Sequence, residues 1–363
     1  MFGKKHMRAI LWALSAVLAL PVKAQLKAGF DANEYHDLLN LPQNGDTASA
    51  KNHPAAYKLL YTSPEVGFYN RWVLWERSDG VDVIQVRGTI GKLESWLANF
   101  YAAMIPAEGV LQLNDSTRFT YKMAADSGKS FVHVGWTAAV GFMSADIVEH
   151  VKERYARGTR QILIMGHSQG GAIAFLLRSY LHYHPDLPKD IQYKTICSAA
   201  PKPGNLFYAY DFENITRDGW GYRIVNSDDW VPETPLSLQT VQDFNMPSPF
   251  MNVRGELKKQ KFFVRLYGTM VYNRLTRTTN RSVRRFRKTL GNGVSRLTKR
   301  TLPQFKQPEY VFSNNYMTCG VPIILLTDAD YHQKFPFDGK NIFVHHMPEK
   351  YIYLLKKYYS VSD

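Results

Sequence analysis

The chain has 363 residues, of which 45% are hydrophobic and 21% charged, so it can bury a substantial core and falls outside the disordered and fibrous classes. Its formal net charge is +14. Cys197 and Cys319 are its two cysteines, too few for a disulfide scaffold; pairing and two buried thiols are both open.

The first 30 residues contain no Asp or Glu. Lys4, Lys5 and Arg8 precede an apolar run from Ala9 to Pro21, and Val22-Lys23-Ala24 follow. This is the layout of a secretory signal over 1–24, and the run is short for a membrane span. The expected product is exported to a periplasmic or extracellular space, runs from Gln25 to Asp363, and is soluble or associated with a membrane surface.

Trp72–Trp75 and Val81–Val86 read as strands about the turn signal Arg77-Ser78-Asp79-Gly80, and Lys92–Tyr101 as a short amphipathic helix. Val132–Trp136 leads to a helix over Ala145–Arg157, with Ile147, Val148 and Val151 at helical spacing. Gln161–Met165 is an apolar strand, Gly166–Gly170 a tight turn, and the residues from Gly171 form a helix apolar on most faces. Tyr193–Ala199 and Tyr222–Asn226 read as further strands, Asn341–Val344 as the last strand, and Met347–Tyr359 as a C-terminal helix. Alternating strands and helices predict an α/β fold whose mainly parallel central sheet carries helices on both faces.

Between Arg254 and Glu309 there are 16 Lys or Arg against two acids, Glu256 and Glu309, so the excess positive charge of the mature chain sits in one block. Phe263, Leu266, Tyr267, Met270, Val271 and Leu275 follow helical spacing within it, as do Val283, Phe286 and Leu290. A basic amphipathic helix of this kind suits an anionic membrane or lipid surface, reached through 254–306. Nucleic-acid binding is not expected, because no recognisable nucleic-acid fold accompanies the arginines.

Gly166-His167-Ser168-Gln169-Gly170 follows an apolar strand and opens an apolar helix, the context of a nucleophile elbow. The small residues two before and two after the serine let strand and helix approach. A serine hydroxyl needs a base to take its proton and a carboxylate to orient that base. Asp228 and Asp229 lie at the carboxyl end of the Tyr222–Asn226 strand, and His332, His345 and His346 are the histidines that follow. Such chemistry requires neither metal nor organic cofactor.

Several segments in order resemble the class 3 lipase family, whose fold is the α/β-hydrolase fold: Val-Arg-Gly-Thr (86–89), Glu-Ser-Trp-Leu-Ala-Asn-Phe (94–100), Val-His-Val-Gly-Trp (132–136) and Gly-His-Ser-Gln-Gly-Gly (166–171). Ala-Pro-Lys-Pro-Gly-Asn (200–205), Arg-Ile-Val-Asn-Ser-Asp-Asp-Trp-Val-Pro (223–232) and His-His-Met-Pro-Glu-Lys-Tyr (345–351) continue the series. The resemblance implies an exported serine ester hydrolase that cleaves lipid esters of the triacylglycerol lipase or phospholipase A type. It implies Ser168 as nucleophile, Asp229 as the orienting carboxylate and His346 as base with His345 as alternative. The oxyanion amides would be those of Thr89 and Gln169, and the segment after Thr89 would be a lid helix with Trp96 in the place of the family's usual tryptophan. Two departures stand out: Gln169 where Leu is commoner, and a longer interval from Asp229 to His346, which makes the basic block an insertion at about 250–305. A carboxylesterase for soluble short-chain esters and a catalytically silent lipid- or membrane-binding protein are the rival readings.

Overall fold

Runs of β-branched and aromatic residues bounded by turn residues build the centre of the molecule. The structure, a computed structural model, describes residues 26–48, 53–126, 128–245 and 247–361, and the secretory-signal reading of 1–24 lies outside them. Seven strands form one sheet in chain order: β1 (Tyr57–Thr62), β2 (Trp72–Arg77), β3 (Asp82–Val86), β4 (Gln161–His167), β5 (Gln192–Ser198), β6 (Gly221–Asn226) and β7 (Val321–Leu325). The first two pairings are antiparallel, β2 and β3 being joined by the predicted turn, where Gly80 takes φ +85°. From β3 onward every pairing is parallel.

Parallel neighbours need crossovers, and helices supply them. α3 (Val134–Ala156) lies on the path from β3 to β4, preceded by α2 (Leu93–Phe100); α4 (Gln169–Tyr183) joins β4 to β5, and α5 (Leu206–Ile215) joins β5 to β6. Side chains alternate across β4: Ile162 and Ile164 enter the core shared with α3 and α4, and Leu163 and Met165 enter the opposite one. That opposite core is closed by α1 (Ala32–Asn40) and α10 (Pro348–Tyr358) through Tyr35, Leu38, Tyr351, Leu354 and Leu355. A mainly parallel sheet with helices on both faces, opening a sharp strand-to-helix turn at residue 168, is the α/β-hydrolase architecture.

Three expectations change. α3 begins at Val134, eleven residues before the predicted start, because nearly every residue from Val134 to Val140 is buried and an all-round apolar segment shows no 3.6-residue period. Asn341–Val344 is a turn and not a strand; the last strand is β7. The side chain of Asp338 accepts the N–H groups of Lys340 and Asn341, and Asn341 accepts that of Phe343, so side chains satisfy backbone that a ladder would otherwise use. The first apolar spacing in the basic block, with Val283 and Phe286 of the second, lies in one helix, α7 (Phe262–Phe286), preceded by α6 (Val253–Lys258) and followed by a π-helical turn (Arg287–Gly293) that carries Leu290 and by α8 (Val294–Thr301). α9 (Ala329–Lys334) lies between β7 and α10.

Candidate active site

The Gly-His-Ser-Gln-Gly segment forms the turn between β4 and α4, with Ser168 at φ 61°, ψ −132°, a backbone conformation that L-residues rarely adopt. The flanking glycines make it possible. A Cβ on Gly166 would lie 2.1 Å from the carbonyl oxygen of Gly170, and one on Gly170 would lie 2.2 Å from that of Val86. The turn puts Ser168 into a cavity of about 760 Å³, together with Thr89, Gln169 and His346.

The structure distinguishes the two aspartates and the three histidines. Asp229, 3% exposed, accepts from His346 Nδ1 at 2.7 Å, from the Tyr351 hydroxyl at 2.7 Å and from the Val231 N–H at 3.0 Å. A carboxylate on Nδ1 sets the tautomer with the proton there, which leaves Nε2 as the basic nitrogen. Asp228 instead pairs with the half-exposed His332 at 2.6 Å and accepts from Thr327; burial pushes its carboxyl up, but these bonds prevail and hold it below the usual range. His345 takes a third partner, the Tyr331 hydroxyl on its Nδ1 at 2.9 Å. Of the Ser168–His346–Asp229 line, the histidine–aspartate link is made. The Ser168 hydroxyl faces the same cavity without a hydrogen bond to the ring, as is common before substrate binds.

The oxyanion candidates sit beside the serine. Gln169 is the first residue of α4, so its N–H has no intrahelical acceptor, and the helix N-terminus adds positive potential. Gly88 spends its N–H on Gln43 Oε1, whereas the N–H of Thr89 donates to no backbone oxygen among the described residues. The loop carrying Thr89 is pinned by Arg87, which donates to Asn44, to Glu65 and to the carbonyl of Tyr69.

Asn99 and His167 lie inside segments the sequence singled out, but no local pattern assigns either of them a role. Asn99 of α2 donates to the Thr89 hydroxyl at 3.0 Å and accepts from Gln169 Nε2 at 2.8 Å and Trp136 Nε1 at 3.0 Å. Gln169 Nε2 also donates to the Ser95 carbonyl, which gives this unusual residue a tie to α2. His167 has Nε2 against the His346 carbonyl at 2.8 Å; a carbonyl only accepts, so Nε2 carries the proton and Nδ1 accepts from Ser198 Oγ at 2.9 Å. Ser198 in turn accepts from the Tyr35 hydroxyl at 2.6 Å. Burial, followed by the neighbouring His346, lowers the His167 imidazole from 6.5 to about 3, so it stays neutral. Aromatic rings roof the cavity: Trp96 lies 5.9 Å from Phe100 and 5.8 Å from Phe343, and Trp230 lies 5.3 Å from Phe343. Cys197 and Cys319 are separate buried thiols.

Residues 83–239 match the family Lipase (class 3). The chain is 29% identical over 154 residues to the secreted mono- and diacylglycerol lipase 1 of Fusarium solani, covering 42% of this chain and 39% of that protein. It thus spans about two fifths of that curated relative's length. Among solved structures it is similar to the Rhizomucor miehei lipase propeptide complex, with 19% identity, TM-score 0.42, and coverage of 58% of this chain and 64% of that one. It is also similar to a triacylglycerol lipase from Penicillium expansum, with 15% identity, TM-score 0.44, and coverage of 57% and 75%.

Proposed function

From the class 3 lipase character of residues 83–239, we propose that the chain is an exported serine ester hydrolase acting on lipid esters at an anionic lipid surface that it meets through 254–306. The observation that carries the reading is the His346–Asp229 pair, bonded at 2.7 Å and opening on the same cavity as a serine held at positive φ. His346 lies outside the matched segment, so its arrival beside Ser168 is independent support.

In the proposed reaction, Ser168 Oγ attacks the ester carbonyl as His346 Nε2 takes its proton, and Asp229 stabilises the imidazolium. The carbonyl oxygen becomes an oxyanion facing the Thr89 and Gln169 amides, where one donor contributes roughly 10²–10³ in rate. His346 returns the proton to the departing alkoxide, and water attacks the acyl-serine by the same path to release the acid. The Thr89 hydroxyl accepts from Asn99, so its own proton is free to turn toward the oxyanion. A cavity lined by Trp96, Phe100, Trp230, Leu290 and Phe343 supports an acyl chain over a polar substrate. Export rests on the N-terminal pattern and on the relative whose name describes it as secreted.

Hydrolysis of emulsified triacylglycerol, phospholipid vesicles and p-nitrophenyl butyrate, together with fluorophosphonate labelling, tests the proposal. Ser168→Ala should lose labelling and all hydrolysis, by at least about 10³-fold, while keeping its melting temperature. Unlabelled wild-type protein would favour the silent binding module, and activity confined to dissolved esters would favour the carboxylesterase.

A further inference from the structure

At 1.5 Å per residue, the 25 residues of α7 form a rod about 37 Å long, of which Val283 is the one buried residue. Phe262, Phe263, Leu266, Tyr267, Met270 and Leu275 are between 55% and 80% exposed along its first half. α6 folds back against it, Leu257 lying where a Cβ on Gly268 would be, so the two helices make a hairpin whose polar turn, Lys259-Gln260-Lys261, leads into the exposed Phe262 and Phe263. Lys258, Lys259, Lys261 and Arg265 flank the two phenylalanines in the chain. A contiguous exposed apolar patch ringed by charge marks an interaction surface.

The other end of the helix holds a second feature. Arg284, Arg287 and Lys288, with Asn292 and Tyr310, enclose a cavity of about 270 Å³. Arg287 donates one Nη to the Tyr310 carbonyl, while its Nε is buried without a partner. None of the three cations is paired with a carboxylate among the described residues. The π-helical turn that follows places Leu290 in the wall of the catalytic cavity, so the cationic pocket and that cavity share one element.

We propose that this element docks the protein on an anionic phospholipid bilayer, with the exposed apolar side chains of α7 among the acyl chains and a lipid phosphate held by Arg284, Arg287 and Lys288. The inference deepens the lipid-ester reading and rests on it for the role of the neighbouring cavity. Charge selects the occupant: 16 cations against two acids between 254 and 309 would repel a second copy, and a nucleic acid would match the cations but leave the exposed apolar side chains of α7 in water. A bilayer matches both.

The test is co-sedimentation of the full chain with phosphatidylcholine vesicles with and without phosphatidylglycerol, beside hydrolysis of dissolved p-nitrophenyl butyrate. Wild-type protein should prefer the anionic vesicles and be released by salt. Arg284→Glu/Lys288→Glu should lose about 30-fold or more of that binding, and Phe263→Asp/Leu266→Asp should weaken binding to both vesicle types. All three proteins should hydrolyse the dissolved ester alike, which shows that the variants fold. Equal wild-type binding to the two compositions, or unchanged binding by the charge variant, would overturn the proposal. So would light scattering that reveals self-association dependent on Phe263, or retention of an oligonucleotide in place of vesicles. Wild-type protein that neither takes up the fluorophosphonate nor hydrolyses any ester would sink the hydrolase reading and leave the docking result standing.

Discussion

Neighbouring residues of the same type take different fates here because backbone direction selects one of each pair. Asp228 and Asp229 point to opposite sides of the loop after β6, one toward solvent and His332, the other into the core beside His346. His345 and His346 part in the same way, toward Tyr331 and toward Asp229. Tyr351, fully buried on α10, adds a second bond to the carboxylate oxygen that holds His346. Under the proposed mechanism it positions the base: Tyr351→Phe should then lower kcat about tenfold, the worth of one charged hydrogen bond, with KM unchanged. An altered KM with normal kcat would place the phenol in substrate binding instead. The motif containing Tyr351 is visible in the sequence, but nothing in that pattern says its hydroxyl reaches a residue 122 positions away.

Among the elements, α2, α3 and α4 are joined by Asn99, whose amide uses both ends: the nitrogen donates to Thr89, and the oxygen accepts from Trp136 and Gln169. His133 completes the junction with a ring nitrogen 3.2 Å from the Asn99 carbonyl. Asn99→Leu would strand two donors, at about 1–3 kcal/mol each if they stay buried, and would release the Thr89 hydroxyl. The expected result is a lower melting temperature and a kcat reduced about 10–100-fold, with KM little changed, in steady-state hydrolysis of a dissolved ester. A variant with normal kcat would show that the Thr89 side chain takes no part. The amphipathic pattern of α2 was legible in the sequence. The start of α3 was not, because burial on every side erases the period from which a helix is recognised.

Two buried histidines, His133 and His167, make the stability of the whole molecule depend on pH. Burial lowers His133 from 6.5 to about 3, and His167 by a similar amount with His346 contributing. The unfolded chain therefore binds more protons than the folded one between these values, so stability is full above pH 6.5 and declines as pH falls toward about 3. Between about pH 7 and pH 5, before most carboxylates titrate, the thermal midpoint should fall more steeply for wild-type protein than for His133→Asn. Parallel slopes would mean that His133 takes up its proton in the folded state. The sequence by itself determined the strands β2 to β6, the elbow at Ser168 and the concentration of charge in 254–309, because each is written in local spacing or composition. Tertiary structure alone decided which aspartate meets which histidine, that Asn341–Val344 is a turn, and that the turn after the basic helix puts Leu290 in the cavity wall. Those outcomes depend on side-chain direction and on contacts between residues far apart in the chain, which no local pattern encodes.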